Sequence, residues 1–216
     1  MMRDLYEAQL ATLKNNMICM GALCEEAIST ALQGLLENEP NFANKVSEIE
    51  IEIDHYERDI ERLCMRLLLM QQPVATDLRT VSSALKMISD LERIGDQAYD
   101  IADITKNQSE QIDFAGKVHI KEMAKAAIMM VTDSVDSYVR QDLKLAEKVT
   151  AEDDKVDALF LEVRDEIARL LKSGKSDPEQ ALDLLMIAKY LERIGDHAVN
   201  VSEWVIYAIT GSHVKE

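Results

Sequence analysis

A chain of 216 residues, 47% apolar but with only 7 Gly and 3 Pro, can bury one large or two small cores and carries few helix breakers. Its formal net charge of −16 argues against nucleic acid, whose phosphate backbone needs a basic footprint, and suits cations or basic partner surfaces. No apolar run approaches the roughly 18 residues of a membrane span, so membrane contact is expected only through a partner.

Leu10, Leu13, Met17, Met20, Leu23, Ala27, Ala31 and Leu35 recur at helical spacing, which predicts a first helix from Leu5 to about Glu37. Asn38-Glu39-Pro40-Asn41 breaks it. A second helix follows, with a 3-4 seam of Val46, Ile49, Ile53, Tyr56, Ile60, Leu63 and Leu67. One position beyond that seam runs an acidic row of Glu50, Asp54, Glu57 and Glu61. After a break at Gln71 to Asp77, with Thr76 or Asp77 as N-cap, a third helix runs to about Lys106. Asn107 to Gly116 reads as a hinge between domains 1–107 and 108–216. Cys19, Cys24 and Cys64 contain no C-x-x-C pair and follow no signal sequence, so buried thiols in a reducing cytoplasm are expected.

The second half repeats the first. A helix from Lys117 to about Asp142 matches the first at an offset of 103, through Met20/Met123, Ile28/Val131 and Leu32/Val135. Lys45-Val46 and Lys148-Val149 keep that offset, which sets Asp153 opposite Glu50 and Asp157 opposite Asp54. A shorter loop at Ser173 to Pro178 changes the offset to 100 before a sixth helix that runs to about Thr210. Nothing reads as strand. The fold expected is all-α, two tandem three-helix bundles related by an internal repeat.

The third and sixth helices share the hexapeptide L-E-R-I-G-D, at Leu91 to Asp96 and Leu191 to Asp196. Each opens a row of acids: Glu92, Asp96, Asp100 and Asp103 in one copy, Glu192, Asp196, Asn200 and Glu203 in the other. At about 100° per residue, each row occupies one narrow face. In the first copy that face continues the apolar stripe of Val81, Leu85 and Ile88. Like charges on a packing face repel unless a counter-charge relieves them, so a cation is expected there. The bland alternative has Arg93 and Arg193 neutralising neighbours at i+3, with Gly95 and Gly195 permitting close helix packing.

A donor set of carboxylates favours hard cations over a Cys/His zinc cage. A ferritin-like di-iron oxidase would need two inward E-x-x-H motifs. The one here, Glu52 to His55, lies off the seam and has no counterpart at 155–158. His197 could add a nitrogen ligand, but its counterpart is Gln97. No phosphate-cradling glycine loop, H-E-x-x-H or G-x-S-x-G is present, so an enzyme is not expected.

The motifs Q-P-V-A-T-D-L-R at Gln72 to Arg79, D-L-E-R-I-G-D at Asp90 to Asp96 and L-E-R-I-G-D-H-A-V-N-V-S-E-W-V-I-Y at Leu191 to Tyr207 resemble those of the PhoU family, in the same order and spacing. The resemblance covers essentially the whole chain. It implies tandem three-helix bundles whose acid-x-x-x-Asp motifs hold metal clusters in some members. Carried onto this chain, those motifs are Glu50 with Asp54, Glu92 with Asp96 and Asp100, Asp153 with Asp157, and Glu192 with Asp196, for Fe, Zn, Mn or Mg. Asn200 stands where the first repeat has Asp100, which would weaken the second site. The resemblance further implies a cytoplasmic, homodimeric negative regulator of phosphate uptake. Its partners would be the ATPase subunit of the phosphate ABC transporter and the phosphate sensor kinase, met at the inner face of the membrane. A carboxylate-bridged metalloenzyme and a metal-free helical scaffold are the alternatives.

Overall fold

The computed structural model describes residues 2–37, 41–70, 75–106, 117–174 and 177–213. They form six helices: α1 (Met2–Glu37), α2 (Phe42–Met70), α3 (Ala75–Lys106), α4 (Lys117–Arg140), α5 (Leu143–Ser173) and α6 (Pro178–Thr210). Of the breaks expected at 38–41 and 71–77, positions 38–40 and 71–74 lie outside the described residues, as does the hinge at 107–116.

The helices begin and end for local reasons. Asn41 opens α2 at φ 62°, and its carbonyl accepts from the Lys45 amide at 3.1 Å. Thr76 and Asp77, expected to cap α3, lie inside its first turn, where Asp77 faces the positive end of the helix dipole. Asp142 was expected to close α4 and instead caps α5, accepting from the Leu145 amide at 3.1 Å. The chain reverses one residue earlier, at Gln141 with φ 53°. Gly174 ends α5 in the left-handed region at φ 65°. Asp177 then caps α6, and Pro178 takes the first helical turn, where its missing N–H costs nothing. Replacing Asp142 with Ala should cost about 1 kcal/mol, read as a lower urea midpoint at unchanged slope.

α1, α2 and α3 pack as one bundle and α4, α5 and α6 as another. The predicted stripes point inward: Leu13, Met17, Met20, Ala27, Ala31 and Leu35 of α1 are buried, as are Val46, Ile49, Ile53, Ile60, Leu63 and Leu67 of α2. The pairs matched at an offset of 103, Met20/Met123, Ile28/Val131 and Leu32/Val135, are buried in both copies. Cys24 and Cys64 are buried, but Cys19 is exposed. It sits two residues past the inward Met17, on the opposite side of the α1 turn.

The bundles are joined by α3 against α6 and α1 against α4, so the buried residues of both halves form one cluster. Arg79, near the start of α3, donates Nε to the Ala208 carbonyl near the end of α6 at 3.3 Å, which makes this central pair antiparallel.

Candidate metal centre

The two glycines of the repeated hexapeptides lie at the contacts that bring the acid rows together. A Cβ on Gly95 would stand 2.9 Å from Ile53 Cδ1 on α2, and one on Gly195 would stand 3.3 Å from Asp153 Oδ1 on α5. Each glycine therefore lets the hexapeptide helix approach the preceding helix closely. The close packing that the bland alternative gave these glycines is present, and it sets the α3 row beside the α2 row and the α6 row beside the α5 row.

The charges show that proximity. Burial raises the Glu50 carboxyl, and Asp54 and Asp96 raise it further, although Asp96 belongs to a different helix. Glu92 is raised by burial and then Asp96, with Arg93 countering. Glu57 is raised in the same way, with Arg58 and Arg93 countering. In the second repeat Asp153 is pushed up to about 6, first by burial and then by Asp196, Asp157, Glu192 and Asp154. Its Oδ1 is shut off from solvent and accepts no hydrogen bond. A buried carboxylate oxygen without a donor is costly, and a hard cation is the partner its chemistry calls for.

The repeats differ in their counter-charges. Arg93 folds back on its own row, with Nη1 2.9 Å from Asp96 Oδ2 and Nε 3.5 Å from Glu92 Oε2, and Arg58 reaches Asp54 at 3.6 Å. Arg193 instead acts on Asp100 of the other bundle. Lys189 grips both oxygens of Glu192. The arginine neutralisation of the bland alternative is thus present in the first copy, and among the described residues no ion pair joins Arg193 to Asp196. Sequence periodicity does not show Lys189 as a partner, because its counterpart in the first repeat is Ser89.

Position 100/200 is drawn away from the rows. Asp100 is raised by burial, while a hydrogen bond from Tyr190 of α6 and the charge of Arg193 pull it back. Asn200 donates to Asp90 Oδ1 of α3 at 3.1 Å, and His197 Nδ1 meets the same oxygen at 2.9 Å. Both residues, and His197 with them, belong to a polar seam between the bundles. Asn200 therefore has a structural partner of its own in this seam.

Glu50, Asp54, Glu92 and Asp96 thus lie along one groove, and Asp153, Asp157, Glu192 and Asp196 along its equivalent, at the surface of each bundle. Among the described residues no three His, Cys, Asp or Glu side chains stand close enough to enclose one ion as placed. The donor chemistry and the orphaned Asp153 oxygen fit a metal. Binding would draw the side chains of each groove inward.

Comparison with known proteins gives the chain its relatives. A family model described as the PhoU domain matches it twice, over residues 18–105 and 120–205. The chain is 36% identical over 215 residues to the phosphate-specific transport system accessory protein PhoU homolog of Clostridium acetobutylicum, covering 99% of this chain and 98% of that one. It is 37% identical to the protein of that name from Aquifex aeolicus, covering 96% and 94%. The crystal structure of PhoU from Pseudomonas aeruginosa superposes with a TM-score of 0.84 at 32% identity, covering 96% of this chain and all of that one. The phosphate transport system regulatory protein PhoU from Streptococcus pneumoniae superposes with a TM-score of 0.89 at 26% identity, covering 98% and 100%. Matched in both repeats and along nearly its whole length, the chain belongs to the PhoU family.

Proposed function

We propose that this protein is a negative regulator of phosphate uptake and of phosphate-starvation signalling that works by protein contact rather than by turnover. The single observation that carries the reading is the near-complete alignment, in both repeats, with relatives named as accessory proteins of the phosphate-specific transport system. The partners we assign are the ATPase subunit of the phosphate ABC transporter and the phosphate sensor kinase. The protein would act as a homodimer in the cytoplasm, at the inner face of the membrane. Among the described residues no helix is long and apolar enough to cross a bilayer, so its partners would bring it there.

The metal part of the proposal rests on the two grooves. Glu50, Asp54, Glu92 and Asp96 would hold cations in the first repeat, with Asp100 at the edge toward the second bundle; Asp153, Asp157, Glu192 and Asp196 would hold them in the second. Iron, manganese, magnesium or zinc would supply positive charge that offsets the repulsion along each groove and ties α2 to α3 and α5 to α6. A catalytic site would require an open coordination position inside a pocket that excludes water, and the grooves lie at the surface.

Deleting the protein should leave phosphate-starvation genes active in phosphate-rich medium, measured as transcript levels and phosphate uptake. Wild-type expression and uptake in the deletion strain would refute the regulatory reading.

A further inference from the structure

We propose that the cleft between the end of α1 and the start of α4 is a docking site for an acidic amphipathic helix of a partner protein. The regulatory reading above names no surface, and this assignment stands on the geometry and charge of the cleft itself.

α1 and α4 lie antiparallel: Lys14, in the first half of α1, donates Nζ to the Val139 carbonyl near the end of α4 at 3.1 Å. The internal repeat relates the two ends of this contact, but the residues there differ. At one end a Cβ on Gly21 would stand 3.0 Å from Val135 Cγ2, so the helices close on each other. At the other end the repeat-equivalent residues are Ala124 and Leu32, and a cleft of about 460 Å³ opens between the helices. Leu32 and Ala124 are buried at its base, and Leu36, Ile128 and Met129 line it above them. Met129 is 45% exposed, an apolar side chain without cover. A trough between two helices, of ligand-pocket size, is the shape into which a third helix lays its apolar face.

The rim selects the occupant. Lys121 and Lys125 border the cleft from α4, one turn apart and both exposed, and among the described residues neither has an ion pair or hydrogen bond. The basic groups farther along the chain are already taken: Arg140 meets Asp136 at 2.7 Å and Lys148 meets Asp133 at 2.8 Å. From α1 the rim carries Ser29 and Gln33, with Glu37 at the helix end as the acid among the lining residues. Two unengaged lysines beside uncovered apolar surface stand out on a chain of net charge −16. They complement acids one turn apart on an incoming helix whose apolar stripe rests on Leu36, Ile128 and Met129. An anionic bilayer fits less well, since its wide face would also meet the acids that dominate the rest of the surface, whereas one helix touches only the cleft. The site is single. The first repeat has Ile18, Ala22 and Glu26 where α4 has Lys121, Lys125 and Met129.

The test uses the full-length protein and a fluorescein-labelled model helix with leucines along one face and glutamates one turn apart beside them, read by anisotropy. Wild type should bind it with an affinity that falls as salt is added, and a scrambled peptide of the same composition should not bind. Lys121→Glu with Lys125→Glu should weaken binding about tenfold or more, and Met129→Gln should weaken it several-fold without changing its salt dependence. All three side chains are exposed, so circular dichroism and melting should match the wild type. No binding by the wild type, or equal binding by the double lysine variant, would overturn the proposal. So would two other results: phosphatidylglycerol vesicles binding through the same lysines where the peptide does not, which assigns the cleft to lipid, or a dimer that the double variant dissolves in sedimentation equilibrium, which assigns it to a second copy of this chain.

Discussion

Saturating Mn²⁺ should raise the melting temperature of the chelator-treated protein by roughly 5–10 °C per filled groove at a hundredfold excess over Kd. The gain comes from binding to the native state, in which both acid rows are assembled, and not to the unfolded chain, in which they are dispersed. Asp153→Asn should reverse its sign with conditions. In metal-free buffer at pH 7.5 it should stabilise by about 1 kcal/mol after allowing for solvent screening, because a half-buried repelled charge is gone. In Mn²⁺ it should lose the metal gain of the second groove.

Protons test the same point. Asp153 titrates near 6 in the folded chain and at about 4 when unfolded, so the native state binds the extra proton. Its destabilising charge is fully present above pH 6 and is progressively relieved as pH falls from about 6 toward about 4. Glu50, Glu57 and Glu92 shift in the same direction. The metal-free protein should therefore melt higher at pH 5.5 than at pH 7.5, and the Mn²⁺ gain should shrink over that interval. Equal melting temperatures with chelator and with saturating Mn²⁺, Fe²⁺, Zn²⁺ or Mg²⁺ would count decisively against metal binding.

Truncating the leucine that opens either hexapeptide should cost about 2–5 kcal/mol, for Leu91→Ala and for Leu191→Ala alike. Both side chains are fully buried, directly beneath the turn that carries Glu92 or Glu192. The Leu91 carbonyl also accepts a hydrogen bond from Cys24 Sγ at 3.3 Å, so α1 is packed onto the same turn. Leu161→Ala, on the exposed face of α5, should change stability by less than about 0.5 kcal/mol. Urea unfolding measures all three. Near-equal midpoints for Leu91→Ala and Leu161→Ala would show that the hexapeptide does not anchor the core.

The six helices and their inward faces were legible because apolar spacing reports directly which residues share a side, and a helix without partners cannot cover its stripe. The acid rows were legible for the same reason. Periodicity does not say what stands opposite. Asp100 and Asn200 share a face with Glu92 and Glu192, yet both turn to the other bundle, because Tyr190 and Asp90 arrive there from helices of the other repeat. Arg93 and Arg193 occupy identical hexapeptides and part company for the same reason. An N-cap acid and a helix-ending acid look alike in sequence, and only the backbone reversal at Gln141 assigns Asp142 to α5 rather than α4. Residue type alone would bury Cys19, whereas its angular position on α1, opposite Met17, exposes it.

The continuous core has a consequence for how the duplication works. α3 and α6 each pack on two helices of their own bundle and on each other, so either repeat, separated from its twin, would expose a long apolar stripe to water. The tandem arrangement is then closer to a fused obligate pair than to two modules on a tether, and it should open as one cooperative unit. Slowest amide exchange should fall on α3 and α6, and these two helices carry both hexapeptides. The outer helices can breathe or meet a partner while the scaffold beneath the acid rows stays closed.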